Sequence, residues 1–552
     1  MMIPLALLLA AAGFKSAPVI EPNPNPAAPL AAILRFTPAA PVETIVTVSD
    51  GRRKWEVRFD RSRNPADGLP IAGFRAGRKH ELRVQIRDAA GRVTRAPQAL
   101  EFTAPALPAA GEEFPPIQVK ASLPQEMEPG WTLLSVRRQR RGGMAAGAGG
   151  AGRTAVRKGA GKAAAKAPAS PPGEAPFATG YGLILALDEQ GEVVWYYRGP
   201  NRTADVHRLR NGNIAFITND NRLVEADLLG NIKGEWCAAR RPQGACTGIP
   251  VDALTMHHSF QELPNGNFLL VSGELREIDN YYTSETDPRA PRKRQKVMGD
   301  QIVEFDRAGR VVWRWSAFDH LDVFRLGYLT INQYWVIRGF PDTVDWTHGN
   351  GVFHDERDDS VLFNSRQQSS VFKIERPSGR IAWIFGEPGG WPERFRPLLF
   401  NPAGVSEWPW HHHAPRLTPR GTLMVFNNGI MKTRPFNPPV ADSEVISGAL
   451  EYAIDPKAHT ARLVWASDVK GQPETVNTFA MGDVSPLPKT GNVLVVYGSA
   501  VRGDTRQPWT RVREYRRTTP PRVVYDVVLA DAEGQAAVTW VAFGGERVAP
   551  FE

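Results

Sequence analysis

One paired pattern recurs along most of this chain, and it limits the folds available. A strand ends in Asp or Glu, a polar or Gly-containing turn follows, and a second strand ends in Trp. It occurs as Asp188…Trp195, Asp227…Trp236, Asp306…Trp313, Glu375…Trp383, Asp455…Trp465 and Asp531…Trp540. Between these runs lies a second tight turn, clearest as Leu263-Pro264-Asn265-Gly266-Asn267. Versions stand at Asn211-Gly212-Asn213, Asp358-Asp359, Arg420-Gly421-Thr422 and Gly491-Asn492, and a sixth at Pro129-Gly130-Trp131. Two hairpins per unit make four strands. Six such units predict an all-β chain, a six-bladed β-propeller spanning 116–552. Alternating runs between 28 and 105 predict a small N-terminal β-sandwich ahead of it.

The formal charge of +9 invites a nucleic-acid reading, which its distribution removes. Nine basic residues and no acidic one lie between Arg137 and Gly173, so this segment carries the whole excess. It belongs to a Gly/Ala-rich stretch, 137–176, expected to be a disordered insertion in the first hairpin. No nucleic-acid partner is expected. Residues 1–18 read as a signal peptide, too short to span a bilayer, and no other run is long and apolar enough for a transmembrane segment. The expected location is periplasmic or secreted. There the only two cysteines, Cys237 and Cys246, suggest a loop disulfide.

Of 11 histidines, three fall at related places. His258 stands nine residues before Asn267 and His413 nine before Thr422; His348 precedes the same turn of the intervening unit with three extra residues. Equivalent positions in a propeller are related by rotation about its channel, so these three are expected to converge at one mouth. Their neighbours His257, His411 and His412 cannot all share that direction if strand alternation holds. His80, His320 and His459 read as structural, as do His207 and His354. Three histidines can bind Zn²⁺, but Arg366 is expected nearby, and a guanidinium suits an oxyanion rather than a metal cation. No metal is expected.

These residues resemble the bacterial aryl-sulfate sulfotransferases over nearly the whole mature chain. The specific runs are DWTHGNGVFHDERDDSVLFNSRQQSSVFKI and HHHAPRLTPRGTLMVFNNG. The resemblance implies transfer of a sulfuryl group from a phenolic sulfate donor to a phenol acceptor through a sulfohistidine, without a cofactor or the usual nucleotide sulfate carrier. It makes His413 the nucleophile, with His258, His348 and Arg366 around the sulfuryl oxygens. It leaves a homodimer open. The chain departs from the family in carrying His412 where Gln commonly precedes the nucleophile, which keeps His412 as an alternative, and in its basic insertion. An aryl sulfate hydrolase using the same pocket and a non-catalytic propeller platform also stay open.

Overall fold

Four of the tight turns of the repeat are built on the same two backbone hydrogen bonds. Gly266 donates to the Leu263 carbonyl and Leu263 to the Asn267 carbonyl; the Leu209, Thr418 and Leu487 turns repeat the pair. The glycines at 212, 266, 421 and 491 have φ between 73° and 85°, the left-handed region that favours Gly. Hairpins so closed are the units from which the sheets are made.

The computed structural model describes residues 13–140, 179–402, 404–470, 474–501, 508–530 and 538–550. The chain is nearly all β. Its larger part forms six antiparallel sheets of four or more strands. In the order used here, the innermost strands are Val538–Val548, Thr203–Arg208, His257–Glu262, Gly349–Asp355, His413–Leu417 and Asp483–Pro486. Each neighbours the next, and the last neighbours the first, a propeller-like cycle around a channel.

Tryptophans of the repeat link the sheets. From the outer strand of one sheet, the indole N–H donates to a turn carbonyl of the next. Trp195 reaches Leu228 (2.9 Å), Trp236 reaches Arg307 (3.0 Å), Trp313 reaches Arg376 (2.9 Å) and Trp465 reaches Thr518 (3.2 Å). Such an arrangement buries a large ring while satisfying its one donor. It also explains why Trp recurs at this step.

Two expected repeat members are placed differently. Pro129-Gly130-Trp131 does not join two consecutive strands: Trp131–Arg140 pairs instead with Val538–Val548, from the far end of the chain. Trp540 lies on that closing strand, and Asp531 falls outside the described residues. The outer turn of the sixth sheet is Arg516–Arg522, between Pro508–Arg516 and Arg522–Leu529. The frame breaks because the first sheet takes its inner strand from the end of the chain. The sixth sheet likewise borrows its edge, Ile117–Ser122, from the start.

The N-terminal part is two sheets. One holds Val19–Pro22, Ala32–Arg35 and Leu69–Ile71; the other holds Lys54–Phe59, Glu43–Ser49, Lys79–Arg87, Val93–Arg95 and Leu100–Thr103. Leu34, Val46, Val57, Phe74 and Val84 fill their shared core. Phe14, within the expected leader, is also buried there against Phe36. Buried Arg75 ties this unit to the first sheet through Asp188 (2.6 Å) and Glu192 (2.8 Å).

Most of the basic insertion lies outside the described residues. Its expected first residues do not belong to it, because Arg137–Arg140 continue the strand Trp131–Arg140, and Arg137 is buried. Cys237 and Cys246 are disulfide-bonded. The bridge closes the loop between Ile232–Ala238 and Ile249–Val251, a parallel edge strand paired to it, just ahead of His257.

Truncating Trp236 to Ala is expected to cost about 3–5 kcal/mol in denaturant melts. Trp236→Phe, which removes the donor and strands the Arg307 carbonyl, should cost about 1–3 kcal/mol. An unchanged melt for both would refute the tryptophan link. Thiol titration of unreduced, unfolded protein should find no free cysteine, and reduction should lower stability by about 2–3 kcal/mol by loop closure. Two free thiols would refute the bridge.

Candidate functional site

Three inner strands carry a register irregularity at the place where the histidines stand. Two residues, His258 and Ser259, separate the pairs His257–Val271 and Phe260–Leu270. The ladders shift again between Gly349 and Gly351 and between His413 and Arg416. Bulges of this kind re-aim side chains. His258 (φ 60°), His348 (φ 48°), His411 (φ 49°) and Ala414 (φ 50°) occupy the left-handed region, a cost of about 1–3 kcal/mol each that the surrounding structure must over-determine.

The result is a buried cluster. The His258 and His348 rings lie 4.7 Å apart, edge to face. Tyr334, from the segment after the third sheet, covers both: its ring is 4.5 Å from His348, and its hydroxyl is 3.2 Å from His258 Nε2. Arg366 sits in the turn between Ser360–Ser365 and Ser370–Glu375, where its backbone N–H donates to the His348 carbonyl (3.2 Å). His413 opens the next sheet's inner strand, close enough to Arg366 and His348 for both to act on its charge. The four expected site residues therefore come together in one cluster.

The register count that equated His258 with His413 is off by one. His413 faces Phe426 and His257 faces Val271, each the fourth residue of its partner strand; the wider bulge at 258–259 takes up the difference. Alternation also fails here, because φ reverses at His258. His257 and His258 lie on one side, with their Nδ1 atoms 2.7 Å apart.

Hydrogen bonds define which nitrogen of each ring is available. Asn428 donates its amide N–H groups to the carbonyls of Thr478 (2.9 Å) and Met481 (3.0 Å), so its Oδ1 is turned to His413 Nδ1 at 2.6 Å. His413 Nδ1 must then carry the proton, which leaves the Nε2 lone pair unprotonated and, among the described residues, without a hydrogen bond. His348 Nδ1 donates to Asp345 at 2.5 Å. That carboxylate also accepts from Trp335 (2.8 Å), Gln367 (2.9 Å) and Asn332 (3.2 Å). Behind His258, His257 Nε2 lies 3.3 Å from Asp300. One proton is shared between the His257 and His258 Nδ1 atoms, and His258 Nε2 faces the Tyr334 hydroxyl.

Burial, reinforced by Arg366, holds His413 well below the usual histidine range. Burial and the neighbouring His348 do the same to His258, and burial lowers His348 despite Asp345. Burial pushes the Arg366 guanidinium down to about 10. Arg366 donates to Gln367 Oε1 (3.0 Å) and the Phe479 carbonyl (3.2 Å), but its buried Nε has no partner. It therefore retains unspent capacity for an anion. His412 differs from His413. Both its ring nitrogens are buried without partners, and burial lowers it to about 3. Its carbonyl accepts from Asn350 (3.1 Å) and Asn364 (2.7 Å), which fixes the backbone beside His413. Among the described residues no three His, Cys, Asp or Glu side chains are arranged to hold a metal ion.

Sequence reasoning did not find Tyr334, Asp345 or Asn428, which have no counterparts in the repeat pattern, and it set His257 and His411 aside. His411 belongs to the same electrostatic cluster, lowered by burial and by Arg366. Four of the five histidines read as structural have such partners, and the fifth, His459, stacks on Phe400. His207 lies between Asp205 (3.1 Å) and Glu546 (3.0 Å), His354 meets Asp359 (2.9 Å), His320 meets the Ser316 carbonyl (2.8 Å), and His80 accepts from the Arg75 backbone (3.2 Å).

Comparison with known proteins gives this geometry a family. An arylsulfate sulfotransferase of Escherichia coli O6:H1 (strain CFT073) is 27% identical over 251 residues, 38% of this chain and 39% of that protein. One of Lelliottia amnigena is 28% identical over 260 residues, 39% of this chain and 41% of that protein. The chain's match thus spans about two-fifths of each relative's length. Among solved structures, the WD40 β-propeller domain of Doa1 aligns with a TM-score of 0.27 at 8% identity, over 60% of this chain and 90% of that one. The family model for arylsulfotransferase (ASST) matches residues 178–536. With well over half of its length in that match, including every residue of the histidine cluster, the chain belongs to the arylsulfotransferase family.

Proposed function

We propose that this protein is an arylsulfate sulfotransferase that moves a sulfuryl group from a phenolic sulfate ester to a phenol, with His413 as the covalent carrier. The observation that carries the reading is the Asn428 contact, which leaves His413 Nε2 unprotonated in a buried site beside Arg366. An uncharged imidazole is the nucleophilic form. Its Nε2 attacks sulfur as the sulfur–oxygen bond to the aryl group breaks, and the electron pair leaves with the phenol oxygen. That oxygen takes a proton from a neighbouring histidine, which must first acquire it from solvent. His348 is the better candidate: Asp345 holds its Nδ1–H and favours the charged form against the larger opposing effect of burial, whereas His258 Nε2 is engaged by Tyr334. Arg366 stabilises the sulfuryl oxygens. An acceptor phenol then reverses the sequence: it gives its proton to His348, attacks sulfur and frees His413.

Nucleophilic attack by His412 is the weaker reading, because both its nitrogens are sealed. Hydrolysis is weaker too, because Tyr334, Trp335 and Phe543 crowd the histidines with aromatic surface suited to a phenol. The disulfide supports an oxidising location such as the periplasm.

With an aryl sulfate and no acceptor, the tryptic segment containing His413 should gain the mass of one sulfuryl group, and a phenol should discharge it. His413→Asn should abolish adduct and turnover, Arg366→Ala should cost about 10²–10³-fold in kcat, and His412→Asn should be mild. Full activity in His413→Asn, or release of free sulfate at the same rate with and without phenol, would overturn the reading.

Stability should fall as pH drops below about 6.5. In the folded state His258, His348, His411, His412 and His413 all resist protonation. The unfolded chain therefore binds more protons below the ordinary histidine value. Each group well below that range costs about 1.4 kcal/mol at one pH unit lower. His207, raised by its two carboxylates against the opposing effect of burial, acts in the other direction but is one against five. A melting temperature that rises between pH 7 and pH 5.5 would contradict this sign.

A further inference from the structure

Among the described residues the longest hairpin joins Phe268–Tyr281 to Lys293–Phe305, and its tip carries Glu285, a buried carboxylate. The two Glu285 oxygens accept backbone N–H bonds from Leu329 and Ile331, each at 3.0 Å. Its own carbonyl accepts from the Phe436 N–H (2.9 Å), so a second loop grips the tip. A carboxylate out of water is expensive unless its lone pairs are filled. Here they are filled by a segment that needs holding. Leu329 has φ 64°, in the left-handed region that a bulky side chain avoids.

The hydrogen bonds that leave this segment lead to the histidine cluster. The Thr330 carbonyl accepts from the Asp345 backbone N–H (2.9 Å). The Leu329 carbonyl accepts from Gln367 (3.0 Å) and from Asn332, the two side chains that also donate to Asp345 Oδ2. Asn332 Oδ1 in turn accepts from the Tyr334 N–H (2.7 Å). Asp345 Oδ2 is the oxygen that faces His348 Nδ1. We infer that Glu285 is a positioning residue for sulfuryl transfer: it fixes 329–331 so that Asp345 holds His348 in the orientation that proton donation needs. The inference rests on the reading of His348 as proton donor and deepens it, and it assigns Glu285 no contact with substrate. Without this carboxylate the Leu329 and Ile331 N–H groups lose their acceptor, and the left-handed turn is free to relax. The Leu329 carbonyl then moves, and the Gln367 and Asn332 amides that share it with Asp345 move too. Proton transfer suffers more than binding, because it depends on the direction of one ring.

Two donors separate this role from a general loosening of the fold. Phenyl sulfate releases a basic phenolate that needs a proton, whereas 4-nitrophenyl sulfate releases a stable one. In Glu285→Gln, which keeps the shape and removes one acceptor oxygen, the kcat/KM ratio of phenyl sulfate to 4-nitrophenyl sulfate should fall about tenfold. His348→Asn should lower the same ratio at least as far. Glu285→Asp, one methylene short, should lower it less, and it serves if the Gln variant does not fold. A second readout needs no turnover. The His348 Nδ1 proton, bonded to a carboxylate, should give a far-downfield proton resonance, identified by its loss in His348→Asn. In Glu285→Gln that signal should weaken through exchange with water, and the Leu329 and Ile331 amides should exchange faster. Should His348→Asn leave the donor ratio unchanged, the proton-donor reading fails and the resonance alone decides the role of Glu285. A resonance that persists unchanged in both Glu285 variants, or a donor ratio that follows His348→Asn but neither of them, would overturn the inference.

Discussion

The cost of taking uncharged imidazoles and a guanidinium out of water governs this molecule. Six histidines and Arg366 are buried in one cluster, and each must exchange its hydration for fixed partners or remain unsatisfied. The partners are supplied one sheet at a time: Asn428 for His413, Asp345 for His348, His257 and Tyr334 for His258. No sheet completes the cluster by itself. The chemistry therefore depends on how firmly neighbouring sheets are held, which gives the tryptophan donors that cross from sheet to sheet a role beyond stability. The same reasoning accounts for the left-handed residues at the bulges. A regular strand would send alternate side chains to opposite faces, and only a local reversal of φ lets adjacent residues serve one site.

Much of the fold was legible because its signals are local. A turn that needs a left-handed glycine announces itself within five residues, and a Trp that must reach the next sheet recurs a short way beyond its own turn. The closing of the cycle is not local. Trp540 and Gly130 stand beside residues that mimic the repeat, yet their strands pair with each other from opposite ends of the chain. Nothing in either neighbourhood marks that partnership. The boundary of the basic insertion was misplaced for a related reason. Arg137 looks like the first of a charged run, and its burial depends on Phe543 and Thr203, which lie far away in sequence.

The candidate site divides along the same line. His258, His348 and His413 could be found by counting from turns. Tyr334, Asp345 and Asn428 could not, because they fix the histidines from positions that the repeat does not generate. Tyr334 comes from the long connection after the third sheet, Asp345 from a parallel strand added to that sheet, and Asn428 follows the strand Leu423–Asn427. In a repeated architecture the shared positions build the scaffold and bring residues near one another. The unshared ones decide which nitrogen holds a proton.

The borrowed strand of the first sheet has a consequence for the order in which the protein becomes active. Val538–Val548 is synthesised after every other described strand, and it brings Phe543 against His258. Until it arrives, Trp131–Arg140 is an open edge able to pair with any available strand, and the cluster has no wall on that side. A chain emerging from its N-terminus must therefore be released as far as Val548 before the cluster is walled on every side. Termination before Val538 would leave five sheets' worth of folded material, an adhesive edge and no enclosed chemistry.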